Sequence, residues 1–226
     1  MNYIALPDND ANERPLPFYL AMEEYVAHHH AGPDSLFLWR VLPTVICGRN
    51  QDISAEVDRD YCRRHDISIV QRKSGGGCVY ADKGNIMLSY ITTEQNSMLA
   101  FHTFINMVVL VLHRMGITAT TTANNDVLIS GRKVSGTACY HLPCGNIVHG
   151  TLLYDTDMDN MLHAITPPQQ KLQQKGIKSV RQRITLLKDY TTLSIDEVLS
   201  LIRQTLCTGT RQLTADDVME IERIAQ

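Results

Sequence analysis

With 226 residues, 44% of them hydrophobic and 20% charged, the chain has ordinary globular composition, which excludes global disorder and predicts one domain with a substantial core over residues 1–226. Its 21 lysines and arginines against 24 aspartates and glutamates give a net charge of -3, so there is no general excess of positive charge for a nucleic-acid backbone. The longest apolar run, MVVLVLH at 107–113, is too short to span a bilayer, and residues 1–15 lack a basic segment followed by an apolar one; the expectation is a cytoplasmic protein with neither a nucleic-acid nor a membrane partner.

Along the chain, Phe18, Ala21, Met22, Tyr25 and Val26 recur at helical spacing behind Pro15 and Pro17, which predicts an amphipathic helix over 17–30 that Gly32-Pro33 ends. Its last residues, His28, His29 and His30, project about 100° apart on a helix and do not converge on one metal ion, so they read as a solvated helix end. Residues 35–41 and 44–48 read as short buried strands around Pro43, and 54–65 as a helix capped by Ser54. The strand 67–72 runs into three glycines, after which 77–91 reads as a hairpin turning at Asp82-Lys83-Gly84. The strongest helical pattern covers 98–117, with Phe101, Phe104, Ile105, Val108 and Leu112 on one face and Gly116 at the C-terminal cap. Strands return over 117–155, with turns at 124–126, 130–132 and 143–146. The remainder reads as helical: Ser194 and Glu197 form a capping box for 195–206, and Thr214 caps 215–225. Hairpins in place of β-α-β units predict an α+β fold, a largely antiparallel or mixed sheet covered by helices.

The chemistry concentrates in two segments. Arg72 precedes Gly75, Gly76 and Gly77, and glycine backbone N–H groups admit a phosphate without obstruction by Cβ. Arg72 offers a fork of donors suited to phosphate or carboxylate, which Lys73 or Ser74 can supplement. An empty glycine turn fits that segment equally well. In RKVSG at 132–136, Lys133 sits among small and β-branched residues in a strand, where a buried lysine requires an anion; a strand lysine facing solvent is the alternative. The six cysteines, Cys47, Cys62, Cys78, Cys139, Cys144 and Cys207, show no C-x-x-C pair and no zinc spacing, and they read as reduced small hydrophobes.

The blocks LFLWR (36–40), GRNQ (48–51), RKSGGGCVYADKGN (72–85), NDVLISGRKVSG (125–136), HGTLL (149–153) and QKGIKSVRQRITLL (174–187) follow one another as in lipoate-protein ligases, over about residues 16–188. Several blocks in register are more specific than any one glycine motif. The chain resembles the large catalytic domain of the lipoate-protein ligase A family, of the biotin/lipoate ligase and transferase superfamily. The resemblance implies a two-step reaction: lipoate and ATP, with Mg²⁺, give lipoyl-AMP, and a lysine of an acceptor protein then attacks the mixed anhydride. The implied acceptors are apo lipoyl domains of 2-oxoacid dehydrogenases or the glycine cleavage H protein. It assigns Lys133 to catalysis and to both nucleotide and lipoate. It assigns Arg72 to the phosphates, Gly77, Cys78, Val79 and Tyr80 to the nucleotide strand, and Asn125 and Asp126 to the adenosine or, through Asp126, to Mg²⁺. Leu38, Trp39, Gly75, Gly76, Ala138 and His149 are the implied lipoate pocket.

Long ligases of the family continue into a C-terminal accessory domain, whereas residues 189–226 read here as a helical C-terminal end. The expectation is an ATP-dependent ligase domain without the accessory domain; a subunit that depends on a separate accessory chain for adenylation, or that only transfers an activated acyl group, is one alternative. The others are an ATP-independent octanoyl- or lipoyl-transferase, which needs a placed cysteine nucleophile, a biotin-protein ligase, and a silent carrier of lipoate.

Overall fold

The computed structural model of the chain describes residues 1–7, 13–29, 32–122, 126–166 and 183–226. Eleven strands among these residues form two sheets. The larger contains β1 (Asn2–Ala5), β2 (Ser35–Trp39), β6 (Asn85–Thr92), β7 (Ala119–Thr121), β8 (Val127–Ile129), β9 (Arg132–Leu142), β10 (Gly145–Leu153) and β11 (Gly209–Gln212), in the order β11-β1-β2-β6-β10-β9-β8-β7. Only the β11-β1-β2 edge is parallel; every other pair in this sheet is antiparallel. The smaller sheet has β3 (Thr44–Cys47) between β4 (Ser68–Gln71), parallel to it, and β5 (Val79–Ala81), antiparallel to it. This is the α+β architecture that the absence of regular β-α-β alternation predicts.

Helices cover both faces of the larger sheet. On one face Phe104, Val108 and Leu112 of α4 (Ser97–Arg114) and Val198 and Ile202 of α6 (Ile195–Leu206) pack on Leu36, Leu88 and Val148. On the other, Phe18, Met22 and Val26 of α1 (Leu16–His29) and Val218 and Ile221 of α7 (Ala215–Ile224) pack on Phe37, Trp39 and Ile147. Each such buried side chain contributes roughly 1.5–3 kcal/mol relative to exposure. The apolar stripe expected for α1 is therefore its core face, and the α4 stripe is too, with Phe101 half-buried at its margin. By length and composition alone α4 also meets the requirement for crossing a bilayer; in the fold its apolar face lies on the sheet. The Ser194–Glu197 capping box is formed, and Thr214 caps α7 together with Asp217.

Three local expectations are corrected. The helix over 54–65 is two short helices, α2 (Ile53–Glu56) and α3 (Arg59–Arg64), capped by Asp52 and Asp58. Val57 between them is extended and bridges Ile165, the residue that ends α5 (Met158–Ala164), so a tertiary pairing overrides continuous helical periodicity. Residues 77–91 are not a hairpin, because β5 joins the smaller sheet and β6 the larger. The Asp82 carboxylate accepts from the N–H groups of Gly84 and Asp157, and the Gly84 carbonyl accepts from those of Tyr154 and Asp155, which holds the crossing between sheets. Finally, β11 interrupts the helical C-terminal part and pairs with β1, a strand that sequence patterning also misses. Of the turn at 124–126, residues 124 and 125 lie outside the described residues, as do His30 and most of the 174–187 block.

Candidate active site

The two-residue period of the strands writes the site onto one face of the larger sheet. Registers place Trp39, Met87, Thr151 and Gly136 in one cross-strand row and Phe37, Ser89, His149 and Ala138 in the next row of the same face. Above them lie α1, the smaller sheet and the glycine loop, and the space between is a cavity of about 810 Å³. Leu20, Ile46, Val79 and Met87 give it apolar walls, and Arg72, Asp126, Lys133, His149 and Arg183 bring charge or titratable groups to it.

A buried polar chain runs beneath one wall. Trp39 Nε1–H donates to Ser89 Oγ at 2.8 Å, and Ser89 Oγ–H donates to Glu23 Oε1 at 2.6 Å. His149 Nδ1 stands 3.0 Å from both Glu23 oxygens, and His149 Nε2 is 2.7 Å from Ser74 Oγ. Arg72 Nε–H donates to that same Ser74 oxygen at 2.9 Å. One assignment satisfies every member: Ser74 donates to His149 Nε2, which leaves the proton on Nδ1 for the Glu23 carboxylate. Glu23 and Ser74, at 3% and 2% exposure, are thus fully partnered, and the chain fixes the rotamers of Trp39 and His149, both of which border the cavity.

Arg72 shapes the glycine loop. Its Nη1 donates to the Ile46 carbonyl at 2.9 Å, and its Nη2 donates to the Gly75 and Gly77 carbonyls at 2.7 and 2.9 Å. With the Ser74 bond, four of its five N–H groups hold protein atoms. Gly76 has φ +93, in the left-handed region, and a Cβ there would lie 2.9 Å from Arg72 Nη2; the loop folds over the guanidinium because residue 76 has no side chain. The expected phosphate fork is therefore chiefly an internal brace. Lys73 leaves the site altogether and pairs with Glu24 at the surface.

At Lys133 the required anion is present. Its Nζ is 2.7 Å from Asp126 Oδ1, and Arg183 pairs with Asp126 Oδ2. Two cations around one carboxylate sum to one positive charge on the cavity wall. A Cβ on Gly136 would approach Lys133 Nζ to 2.8 Å, so this glycine clears the path by which the ammonium reaches Asp126. The start of β9 is pinned by the Thr185 N–H, which donates to the Lys133 carbonyl at 2.9 Å.

Of the residues singled out in the sequence, Trp39, Arg72, Gly76, Gly77 and Cys78 border the cavity, as do Val79, Asp126, Lys133, Ala138 and His149. Three do not. Leu38 lies one residue out of phase with Trp39 and joins the α4 and α6 core on the opposite face. Tyr80 is out of phase with Val79 and packs with Val45 and Cys47 behind the smaller sheet. Gly75 contributes its carbonyl to Arg72. Asn125 lies outside the described residues. Glu23, Ser89 and Arg183 were missed. Glu23 sits within the apolar stripe of α1, where a buried carboxylate calls for a partner, and Arg183 lies in the last of the ordered sequence blocks.

A family model described as the lipoyl protein ligase A/B catalytic domain matches residues 15–207. Lipoate–protein ligase 1 of Staphylococcus aureus is 36% identical over 214 residues, which are 91% of this chain and 65% of that protein. Lipoate-protein ligase LplJ of Bacillus subtilis is 35% identical over 173 residues, 76% of this chain and 52% of that one. The chain thus spans between about half and two thirds of the length of these curated relatives. Among solved structures, a bipartite lipoate protein ligase studied with its E2 lipoyl domain, from Thermoplasma acidophilum, superposes with a TM-score of 0.84 at 26% identity, covering 99% of this chain and 91% of that one. A lipoate-protein ligase A bound with ATP has the same fold, with a TM-score of 0.82 at 23% identity and coverage of 99% and 94%. A family match across most of the chain, with relatives more than 30% identical and the shared fold, establishes that the chain belongs to the lipoyl protein ligase A/B catalytic domain family.

Proposed function

We propose that this chain is a lipoate-protein ligase, which condenses lipoate with ATP to lipoyl-AMP and passes the lipoyl group to a lysine of a lipoyl domain. The observation that carries the reading is the cavity itself: apolar walls for an acyl chain, joined to a Lys133–Asp126–Arg183 cluster of net positive charge. Adenylation moves negative charge through the α-phosphate as a carboxylate attacks it, and preorganised cations at that point lower the barrier. In this reading Lys133 touches both the phosphate and the acyl carboxylate, and Asp126 holds it in place until substrate takes over. Gly77, Cys78 and Val79 border the nucleotide, Arg72 keeps the loop in shape, and Trp39, Ala138 and His149 border the acyl chain.

Mg²⁺ enters this scheme as the companion of ATP. Both Asp126 oxygens already face cations, and no group of three or more His, Cys, Asp or Glu side chains gathers to hold a metal among the described residues. A single carboxylate is nevertheless a suitable supplement to an ion that is otherwise held by phosphate oxygens. A cysteine-dependent transferase route through Cys139 or Cys207 has weaker support, since burial pushes these thiols up in pKa, away from the thiolate a nucleophile needs. The acceptors in view are lipoyl domains and the glycine cleavage H protein, with a separate accessory subunit a further partner and the cytoplasm the proposed compartment.

Incubation with ATP, Mg²⁺ and lipoate is expected to release pyrophosphate only when all three are present. Release independent of lipoate contradicts acyl-adenylate formation. No release, together with transfer from supplied lipoyl-AMP, identifies a chain that depends on an accessory subunit for the first step.

A further inference from the structure

No sequence spacing pairs the cysteines, yet the fold does. Antiparallel pairing of β3 with β5 sets Ile46 opposite Val79, and one step further Cys47 and Cys78 meet, with the Cys78 thiol donating to Cys47 Sγ at 3.0 Å. Both are thiols in this structure. Cys47 is fully buried, whereas Cys78 is partly exposed and borders the cavity. The Arg72 guanidinium straddles the two segments, bonded to the carbonyls of Ile46 and Gly77, the residues that precede the two cysteines.

We propose that Cys47 and Cys78 form a thiol–disulfide switch in the cavity wall, closed by a low-molecular-weight disulfide and reopened by a low-molecular-weight thiol. The sulfurs already stand 3.0 Å apart, so closing the bond moves them together by only about 1 Å. The steps balance. The Cys78 thiolate attacks one sulfur of the external disulfide and expels one thiolate. The Cys47 thiolate then attacks Cys78 Sγ and expels the second, so the pair loses two electrons and two protons and the external disulfide becomes two thiols.

Contact between the two thiols, with one of them at the cavity, is what sets this pair apart. In the reduced pair the hydrogen bond from Cys78 holds the Cys47 thiol below its usual pKa range, burial opposing and the Arg72 charge assisting; once Cys78 carries the mixed disulfide, the Arg72 charge is what remains to favour the Cys47 thiolate. Burial instead pushes the thiols of Cys62, Cys139 and Cys207 up, and the thiolate is the reactive form. Closure draws Cys78 toward β3, and its neighbours Gly77 and Val79 border the cavity, so the oxidised chain binds ATP more weakly. This last consequence rests on the nucleotide reading given above.

The test treats the whole chain with glutathione disulfide. The expected product has lost two hydrogen atoms by intact mass, carries a Cys47–Cys78 link by peptide mapping, and returns to the thiol form with dithiothreitol. Cys47→Ala is expected to stop at a glutathione adduct on Cys78. A persistent adduct on the unmodified sequence, a link between other cysteines, or no reaction overturns the pair. ATP titration of the two forms is expected to show roughly tenfold or weaker binding after closure, and equal binding overturns the switch. The linkage experiment uses no ligand, so its failure leaves the reading of the cavity intact, while absence of ATP binding by the reduced chain overturns that reading and leaves the pair intact.

Discussion

Lys133→Ala is expected to reduce lipoyl transfer by roughly 10²–10³-fold, the effect of removing one preorganised donor from a developing anion, while the protein stays folded. The second half of that expectation follows from the geometry. Asp126 is shared between Lys133 and Arg183, so truncation of the lysine leaves the carboxylate with a cation and creates no orphaned buried charge. Arg183 still neutralises the buried Asp126 in the variant, so the roughly 3–5 kcal/mol cost of an unpaired buried charge is avoided and the fold is expected to persist. Thermal melting beside a lipoylation time course checks both parts. A variant that turns over at near-normal rate removes Lys133 from the mechanism, and one that melts far below the parent makes its role structural.

Arg72→Lys is expected to fail as a conservative exchange. A lysine carries its three donors on one nitrogen, whereas Arg72 reaches Ser74 and the carbonyls of Ile46, Gly75 and Gly77 from three nitrogens of a planar fork. An ammonium satisfies some of these acceptors and strands the others, each at about 1–3 kcal/mol. Total destabilisation of roughly 3 kcal/mol corresponds to a melting point lowered by about 6–12 °C, with the glycine loop released and activity lost in step. Differential scanning calorimetry reads the shift. A melting temperature within a degree of the parent shows that the brace is dispensable and returns Arg72 to a direct phosphate role.

Features carried by local chemistry were legible in the sequence. The α1 and α4 stripes, the Ser194 and Thr214 caps and the glycine loop behind Arg72 depend on neighbours a few residues away. Strand alternation, applied to the residues the resemblance implies, would have removed Leu38 and Tyr80, because residues adjacent to a site residue on a strand face the other way. What stayed hidden was non-local. Strands β1 and β11 exist through pairing across more than 200 residues, as no four-residue segment at an edge carries a pattern of its own. The exchange of β5 and β6 between sheets, the Glu23–His149 bond and the Cys47–Cys78 contact arise the same way. Lys133 shows the boundary between the two. The need for an anion could be read from burial, but its identity as Asp126, held jointly with Arg183, required the fold.

In the proposed reaction this cavity holds lipoyl-AMP and delivers its acyl group to a protein lysine. The direct measurement supplies the chain with synthetic lipoyl-AMP and an apo lipoyl domain and follows the domain by intact mass. The expected result is the gain of one lipoyl group on a single lysine, lost in Lys133→Ala. No gain, with the same domain fully modified by a known lipoate-protein ligase, contradicts it.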